Sequence, residues 1–305
     1  MYNIRVYISA IDANWRDEMK RNLLKEIKDR MPTFSKGQKL ISAYILENYD
    51  KAAYMTAAKL GAIVNVSEST VVRFAIELGF DGYPDFQHSL QEIVRTKLTS
   101  FQRIEVTNNL IGDGDVLTKV LNADSDKIRH TLDEIDRDAF ETAVDKIVRA
   151  RKIYVMGVRS SASLASFLAH SLGMIFDEVK LVEPSSGSEM FEQILSIGEN
   201  DVMIAISFPR YSKKIINAVD YAKHKSANVI AITDSSMSPI ASGANQILLA
   251  RSDMASFVDS LVAPLSIINA IVVAVSRKRQ DELTVRLRRL EEIWDEYDVY
   301  DKNKD

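Results

Sequence analysis

The spacing of apolar residues changes once along the chain, near residue 150. Before that point apolar side chains recur every three or four positions, as in LISAYILENY (40–49), which predicts amphipathic helices. After it, short unbroken apolar runs such as VMIAIS (202–207) alternate with helical stretches. Buried apolar strands that alternate with helices indicate a parallel sheet covered on both faces. The pattern therefore predicts an α + α/β protein, in which an all-helical N-terminal domain precedes a doubly wound parallel-sheet domain.

Breaks in this pattern mark the expected domain boundaries. The first eighteen residues lack a helix cap and a clean period, so we expect an extension or a disordered tail there. Residues 99–114 lose periodicity and contain two glycines, which favours a hinge. The apolar stretch from about Ser256 to Val275 predicts a long helix. The expected segments are 1–18 as the extension, 19–98 as the first domain, 99–136 as a linker and connecting helix, 137–276 as the sheet domain and 277–305 as a C-terminal helix.

The connecting helix is predicted between Asp115 and Ile135. Its helical period comes from four apolar residues, namely Val116, Val120, Ile128 and Leu132. A helix at this place in the chain either sets the geometry between the two domains or simply packs against the second one.

Two short helices of the first domain are joined by a tight connection at Asn65. Ser67 is suited to cap the second helix and Gly79 to end it. The apolar residues of this helix fall on one side, whereas Ser69 and Arg73 point the opposite way. Two helices so joined form a helix-turn-helix, whose second helix can lie in the major groove of DNA. Helical spacing alone equally favours a small helical bundle that binds a partner other than DNA.

The polar residues around this connection suit DNA recognition. An arginine side chain can donate two hydrogen bonds to one guanine, and hydroxyl groups can contact bases or phosphates. The residues expected to contact DNA are Thr56, Lys59, Ser67, Ser69, Thr70 and Arg73, and those expected in the core are Val71, Phe74, Ala75 and Leu78.

The run VSESTVVRFAxxLGFxGYxxF (66–86) resembles the N-terminal DNA-binding domain of the RpiR family of bacterial transcription regulators. It is a long and dense match, much more specific than a general helix-turn-helix pattern. The resemblance implies a repressor or an activator, with this domain in front and a sugar-phosphate-sensing domain behind it.

Hydroxyl-rich loops follow two strands of the predicted sheet, GVRSSAS (157–163) and SFPRYS (207–212). Ligands of open parallel sheets bind beyond the carboxyl ends of the strands. Hydroxyls and backbone N–H groups at a helix start bind phosphate, and an arginine adds charge. Either loop alone favours simple helix capping, whereas two loops at neighbouring strand ends favour a small phosphorylated ligand. The expected effector-binding residues are Arg159, Ser160, Ser161, Ser207, Arg210, Tyr211 and Ser212.

These loops, together with VIAITDSxxSPIA (229–241), resemble the SIS (sugar isomerase) domain that RpiR-type regulators carry. The resemblance implies that the two loops bind a phosphosugar. The chain departs from sugar isomerases at positions where glycine or serine is common in those enzymes, namely Arg159, Phe208, Pro209 and Arg210. These departures disfavour isomerase chemistry. A phosphosugar isomerase or lyase with an accessory helical domain is the alternative, with Glu183 as its candidate base.

Motifs of other enzyme classes are absent from the first strand end. GVRSSAS (157–163) lacks the GxGxxG of nucleotide-binding dehydrogenases and the GxSxG of serine hydrolases. The chain has no cysteine, and its four histidines are dispersed, so we expect neither a disulfide, a metal site nor a cofactor.

Charge and hydropathy bear on the partners. Residues 1–100 contain 14 lysines and arginines against 12 acidic residues, whereas residues 101–305 contain 25 against 31. The positive end is the natural DNA end, because DNA affinity comes largely from phosphate neutralisation. No apolar run approaches the length of a membrane span, so we expect a cytoplasmic protein without a membrane partner. A homodimer or homotetramer is expected on a double-stranded DNA operator, because one recognition helix contacts few bases.

Overall fold

The computed structural model of the protein describes residues 23–97, 102–104, 107, 114–253 and 258–300. The chain divides into two compact units, Met1–Gly112 and Asp113–Asp305. The extension expected at residues 1–18 lies outside the described residues. Within the described ranges no helix is long and apolar enough to cross a bilayer, and no group of three or more histidine or acidic side chains is arranged to hold a metal ion.

All the secondary structure described in the first unit is helical. Ser35 and Gln38 form a reciprocal capping box at one helix start, and Thr56 and Ser67 cap two more. The helices are α1 (Leu23–Arg30), α2 (Lys36–Ala52), α3 (Ala57–Val64), α4 (Glu68–Glu77) and α5 (Tyr83–Lys97), with a 3-10 turn at Met31–Thr33.

Phe74 of α4 lies at the centre of the first unit's core. Its ring is fully buried and makes edge-to-face contacts with the rings of Phe34 and Phe86. The centroid of the Phe74 ring lies 5.4 Å from that of Phe34 and 5.8 Å from that of Phe86. The four residues expected to face the core from α4 are all buried, namely Val71, Phe74, Ala75 and Leu78. The opposite side of α4 is left for solvent or a partner.

The second unit is a parallel five-stranded sheet between helices. The strand order is β2-β1-β3-β4-β5, and every neighbouring pair is parallel. The elements are α6 (Val116–Glu134), α7 (Arg137–Arg149), β1 (Lys152–Gly157), α8 (Ser160–Gly173), β2 (Val179–Val182), α9 (Gly187–Ile194), β3 (Asp201–Ile206), α10 (Lys213–His224), β4 (Asn228–Thr233), β5 (Gln246–Leu249), α11 (Val262–Lys278) and α12 (Gln280–Glu296), with a 3-10 turn at Ala241–Gly243.

Side chains of alternate direction along each strand build a core on both faces of this sheet. On one face Ile153 and Val155 of β1 pack with residues of α7, α8 and α11. On the other face Tyr154 and Met156 pack with residues of α9 and α10. The predicted fold class, an all-helical unit followed by a doubly wound parallel sheet, is therefore confirmed. β1 and β3 are neighbouring parallel strands, so their carboxyl ends lie side by side, with Gly157 opposite Ile206.

Two segments differ from the sequence expectation. The long apolar helix begins at Val262 rather than near Ser256, because Pro264 lacks a backbone N–H and therefore suits a first helical turn. Residues 102–104 are helical, although they lie within the stretch expected as a hinge.

Helix α6 is present as predicted, but three of the four apolar residues that reveal it in the sequence are exposed and the fourth, Val120, is half-buried. Ile128 and Leu132 are exposed, whereas Lys127 and Thr131 are buried. The helix packs on α11, and its buried polar groups have partners: Thr131 accepts from the Arg251 amide, and Lys127 pairs with Asp124.

Candidate functional site

The connection between α3 and α4 has the tight geometry of a helix-turn-helix. Asn65 ends α3 in the left-handed conformation, with φ of 55°. A Cβ at Gly61 would lie 2.8 Å from the carbonyl oxygen of Val66, so glycine permits the close approach of the two helices. The Val66 amide donates back to the Gly61 carbonyl at 2.9 Å and closes the turn.

A cluster of three hydroxyl groups opens α4. Ser67 Oγ accepts from the Thr70 amide at 3.3 Å and lies 2.9 Å from Ser69 Oγ and 2.8 Å from Thr70 Oγ1. Ser67 and Ser69 are exposed, whereas Thr70 is half-buried with its methyl group towards Gly37 of α2. Thr70 thus contributes more to the packing of α4 than the sequence suggests.

Arg73 lies on the exposed side of α4, one turn after Ser69. Its Nε donates to the Ser69 carbonyl oxygen at 3.2 Å, which holds the guanidinium along the outer face of the helix. Thr56 and Lys59 are exposed at the start of α3. The six residues expected to contact DNA therefore all lie at or near the surface of α3 and α4, where a duplex can reach them.

The two hydroxyl-rich loops of the second unit meet at the carboxyl ends of β1 and β3. They line a strand-end cavity of about 40 Å³ that is partly open to solvent. The residues that line it are Val158, Arg159, Ser160, Ser161, Ser207, Phe208, Pro209, Arg210, Ser212 and Asp259. A phosphate group fits the chemistry of this lining.

Two buried serines lie at the base of the strand-end cavity. Ser161 is in the first turn of α8, and its backbone crowds Gly157 so closely that a Cβ there would clash. Ser207 follows β3 directly, and its amide donates to the Ile232 carbonyl at 3.1 Å. Ser212 caps α10 by accepting from the Lys214 amide at 3.3 Å. Two helix starts therefore point backbone donors and hydroxyl groups at one small space, which is the arrangement of an anion site.

Both arginines of the strand-end cavity have a backbone conformation that favours glycine. Arg159 has φ of 57° and ψ of −127°, and Arg210 has φ of 64°. A side chain in such a conformation destabilises the fold by about 1–3 kcal/mol and persists mainly at functional sites. Arg159 and Arg210 are therefore candidates for a role at this cavity, which both of them line.

One lining residue outside the two loops is not expected from the sequence, and one expected residue does not line the cavity. Asp259 lines the cavity from the segment before α11, far along the chain from either loop and outside any recognisable motif. Tyr211 does not line it. Its hydroxyl instead donates to Asp234 at the end of β4, at 2.9 Å. The position of Tyr211 turns its side chain to the neighbouring strand, which spacing within the loop does not reveal.

A third hydroxyl-rich loop follows β2 but is not part of the strand-end cavity. Ser186 caps α9 by accepting from the Glu189 amide at 3.1 Å. Hydrogen bonds from Ser185 lower the pKa of the Glu189 carboxyl. Ser185 and Ser186 of this loop therefore both bond to Glu189 of α9. Glu183, the candidate base of an isomerase, is exposed and does not line the cavity either.

Two family models match the chain. A model described as the helix-turn-helix domain of the rpiR family matches residues 21–97, and the SIS domain model matches residues 146–274. An HTH-type transcriptional regulator of Haemophilus influenzae is 28% identical over 233 residues, which cover 75% of this chain and 79% of that protein. The HTH-type transcriptional regulator HexR of Escherichia coli is 25% identical over 283 residues, which cover 89% of this chain and 93% of that protein.

A solved structure has the same fold over most of the chain. The Vibrio vulnificus NanR protein, complexed with ManNAc-6P, superposes with a TM-score of 0.56 at 23% identity. The match covers 90% of this chain and 98% of NanR, so it includes both the helical unit and the sheet unit.

Proposed function

The chain belongs to the RpiR family of helix-turn-helix transcription regulators, and we propose that it binds an operator through α4 and changes that affinity when a phosphorylated sugar enters the strand-end cavity. The observation that carries the proposal is the convergence of two hydroxyl-rich helix starts and two arginines on one cavity, in a chain that also has a helix-turn-helix.

The DNA-binding half of the proposal assigns a role to each side of α4. The apolar side anchors the helix through Phe74, and the exposed side presents Ser69 and Arg73. Arg73 reads a base in the major groove, while Ser67 and Lys59 contact phosphates and fix the position of the helix. Thr56 and Thr70 also contact the DNA. Thr70 in addition packs its methyl group towards Gly37 of α2.

The effector half rests on the chemistry of the strand-end cavity. Ser207, Ser212 and the start of α10 receive the phosphate, and Arg210 neutralises its charge. Arg159, Ser160 and Ser161 contact the sugar hydroxyls or a second edge of the phosphate. The ManNAc-6P complex of NanR, which has the same fold, supports a phosphosugar as the ligand class. Tyr211, whose hydroxyl donates to Asp234, is left out of the proposed ligand contacts.

The chain is a regulator and not an enzyme, because the relatives that cover most of its length are transcriptional regulators. The isomerase or lyase alternative requires a base at the sugar, and Glu183 does not line the strand-end cavity. As finer proposals, we assign a cytoplasmic location and a homodimer or homotetramer on double-stranded DNA, in which two copies of α4 read two half-sites.

The effector half is tested by calorimetry with sugar phosphates. The wild-type chain is screened by thermal shift against ManNAc-6P, glucose 6-phosphate, fructose 6-phosphate and inorganic phosphate, and the tightest binder is titrated. Ser207→Ala/Ser212→Ala should bind it at least tenfold more weakly, because each charge-assisted hydrogen bond contributes about 1.5–3 kcal/mol.

A matched control is available in the third hydroxyl-rich loop. Ser186→Ala/Ser188→Ala also removes one helix cap and one neighbouring hydroxyl, but neither residue lines the strand-end cavity. This control should bind the same sugar phosphate with wild-type affinity. Equal affinity in the Ser207→Ala/Ser212→Ala variant, shown to be folded, contradicts the placement of the phosphate.

A further inference from the structure

We propose that Asp259 and Ser260 report the occupancy of the strand-end cavity to helix α6, and that this contact is the route by which a phosphosugar changes DNA binding. The inference rests on the proposed function, since it assigns the regulatory connection of that same cavity. Asp259 lines the cavity, and the next residue, Ser260, is buried against α6.

The contact with α6 is a buried polar cluster. Ser260 Oγ donates to Asp124 Oδ1 at 2.7 Å, and Lys127 Nζ donates to the same oxygen at 3.1 Å. Lys127 is only 7% exposed and Ser260 only 6%. A buried lysine is strongly unfavourable unless it is paired, so the cluster is stable only while its members keep their geometry. We call these three residues, Asp124, Lys127 and Ser260, the α6 staple.

A second set of contacts holds the same segment to the end of α6. The Arg251 amide donates to Thr131 Oγ1 at 2.9 Å, and Arg251 Nε donates to the Glu134 carboxylate at 2.8 Å. The Ser260 amide donates to the Asp253 carbonyl at 3.2 Å, which links the two sets. The segment that joins β5 to α11 is therefore attached to α6 at both of its described ends, so movement of the segment is transmitted to the helix.

The chemistry of the cavity gives a reason for that movement. Asp259 is the one carboxylate among the described lining residues, beside Arg159 and Arg210. A bound phosphate brings negative charge next to the Asp259 carboxylate and competes with it for the two arginines. Asp259 is therefore less stable at its position when a phosphate is bound. Displacement of Asp259 pulls on Ser260, its neighbour in the chain.

Helix α6 is suited to pass the change on. It is the first element of the second unit and follows, in the chain, the segment that leads from the DNA-binding unit. An effector alters DNA binding only through its different affinities for two states of the protein. In the proposed scheme the α6 staple is intact in one state and broken in the other, which a phosphosugar in the cavity favours.

The test separates coupling from sugar binding by breaking the α6 staple outside the cavity. Ser260→Ala removes the hydrogen bond that joins the segment to α6, and Lys127→Met removes the charged partner that holds the Asp124 carboxylate in place; neither residue lines the strand-end cavity. Arg129→Met is the matched control, since it removes one positive charge from the same helix, where Arg129 pairs with Asp126 at the exposed surface. All three variants are made in the full chain. Helical and sheet content by circular dichroism establishes that each one is folded.

Two quantities are measured for each protein. Calorimetry gives the affinity for the sugar phosphate chosen in the screen, and fluorescence anisotropy gives the affinity for a DNA duplex that the wild type selects from a random library, with and without that sugar phosphate. The wild type and Arg129→Met should show a change in DNA affinity of about fivefold or more, typical of allosteric coupling. Ser260→Ala and Lys127→Met should bind the sugar phosphate within about twofold of wild type, yet lose most of that change.

Each contrary outcome points to a different error. If both staple variants keep the wild-type change in DNA affinity, the coupling does not pass through the staple and the inference is overturned. Equal loss in Arg129→Met overturns it as well, because the effect is then one of charge alone. If the wild type binds no sugar phosphate of the panel, the proposed function fails in the wild type itself, and the inference fails with it.

Discussion

Helices α4 and α6 are both amphipathic, but they face their apolar residues in opposite directions. α4 buries Val71 and Phe74 and exposes Arg73, as its sequence indicates. α6 buries Lys127 and Thr131 and exposes a stripe of apolar residues within about 60° around its axis. The stripe consists of Leu117, Leu121, Ile128 and Leu132, which are 69%, 59%, 39% and 57% exposed.

The difference shows what an amphipathic pattern does and does not determine. The pattern identifies which side of a helix is apolar, but a polar side is buried just as well where each polar group has a partner. In α4 the neighbours are aromatic rings, so the apolar side faces inward. α6 packs on α11, and the segment before α11 supplies Ser260 and the backbone of Arg251 as partners for polar groups of α6, so its polar side faces inward.

The largest effect is expected from Phe74→Ala. Removing a fully buried ring leaves a cavity among Phe34 and Phe86, so the free energy of unfolding of the first unit should fall by about 3–5 kcal/mol. Chemical denaturation followed by far-UV circular dichroism measures it. A loss below about 1 kcal/mol contradicts the view that the inner side of α4 anchors the helix.

Arg73→Ala changes the outer side of the same helix. It should weaken binding to the selected DNA duplex by about 1–3 kcal/mol, the usual contribution of a base contact, and leave the unfolding transition unchanged. Arg129→Ala on α6 removes an equal charge and serves as the control, read by the same anisotropy titration. Unchanged affinity and unchanged base preference in Arg73→Ala exclude Arg73 as a reader.

Arg159→Ala and Arg159→Gly separate the function of the arginine from its backbone conformation. Both variants lose the guanidinium and should bind the sugar phosphate equally weakly. The glycine variant should be more stable than the alanine variant by about 1 kcal/mol, because glycine adopts a φ of 57° without strain. Thermal unfolding of the pair measures this difference, and an alanine variant that is the more stable of the two contradicts it.

The smallest effect is expected from Leu121→Gln in the exposed stripe of α6. At low protein concentration the free energy of unfolding should change by less than about 0.5 kcal/mol, since the side chain has no core to leave. A loss of several kcal/mol in dilute protein means that the stripe packs within its own chain. Light scattering at higher concentration shows whether the substitution also weakens association between copies.

The sequence predicts most where the signals are local. Ser67 and the glycine after Leu78 bound α4 correctly, since caps act within one turn of the helix. The meeting of the loops at Arg159 and Ser207 follows from a general property of parallel strands. Asp259 could not be found in this way, because only the folded second unit brings the segment before α11 to the cavity. The buried face of α6 is equally a matter of tertiary partners, which no period along the chain encodes.

The central claim is that a phosphosugar controls DNA binding by this chain. The most direct measurement is an anisotropy titration of the selected DNA duplex with wild-type protein, at rising concentrations of each sugar phosphate in the panel, followed by chromatography of the sugar phosphate. We expect that at least one sugar phosphate changes the DNA affinity by about fivefold or more and is recovered unaltered. A DNA affinity that no sugar phosphate changes, or conversion of the sugar phosphate into another compound, contradicts it.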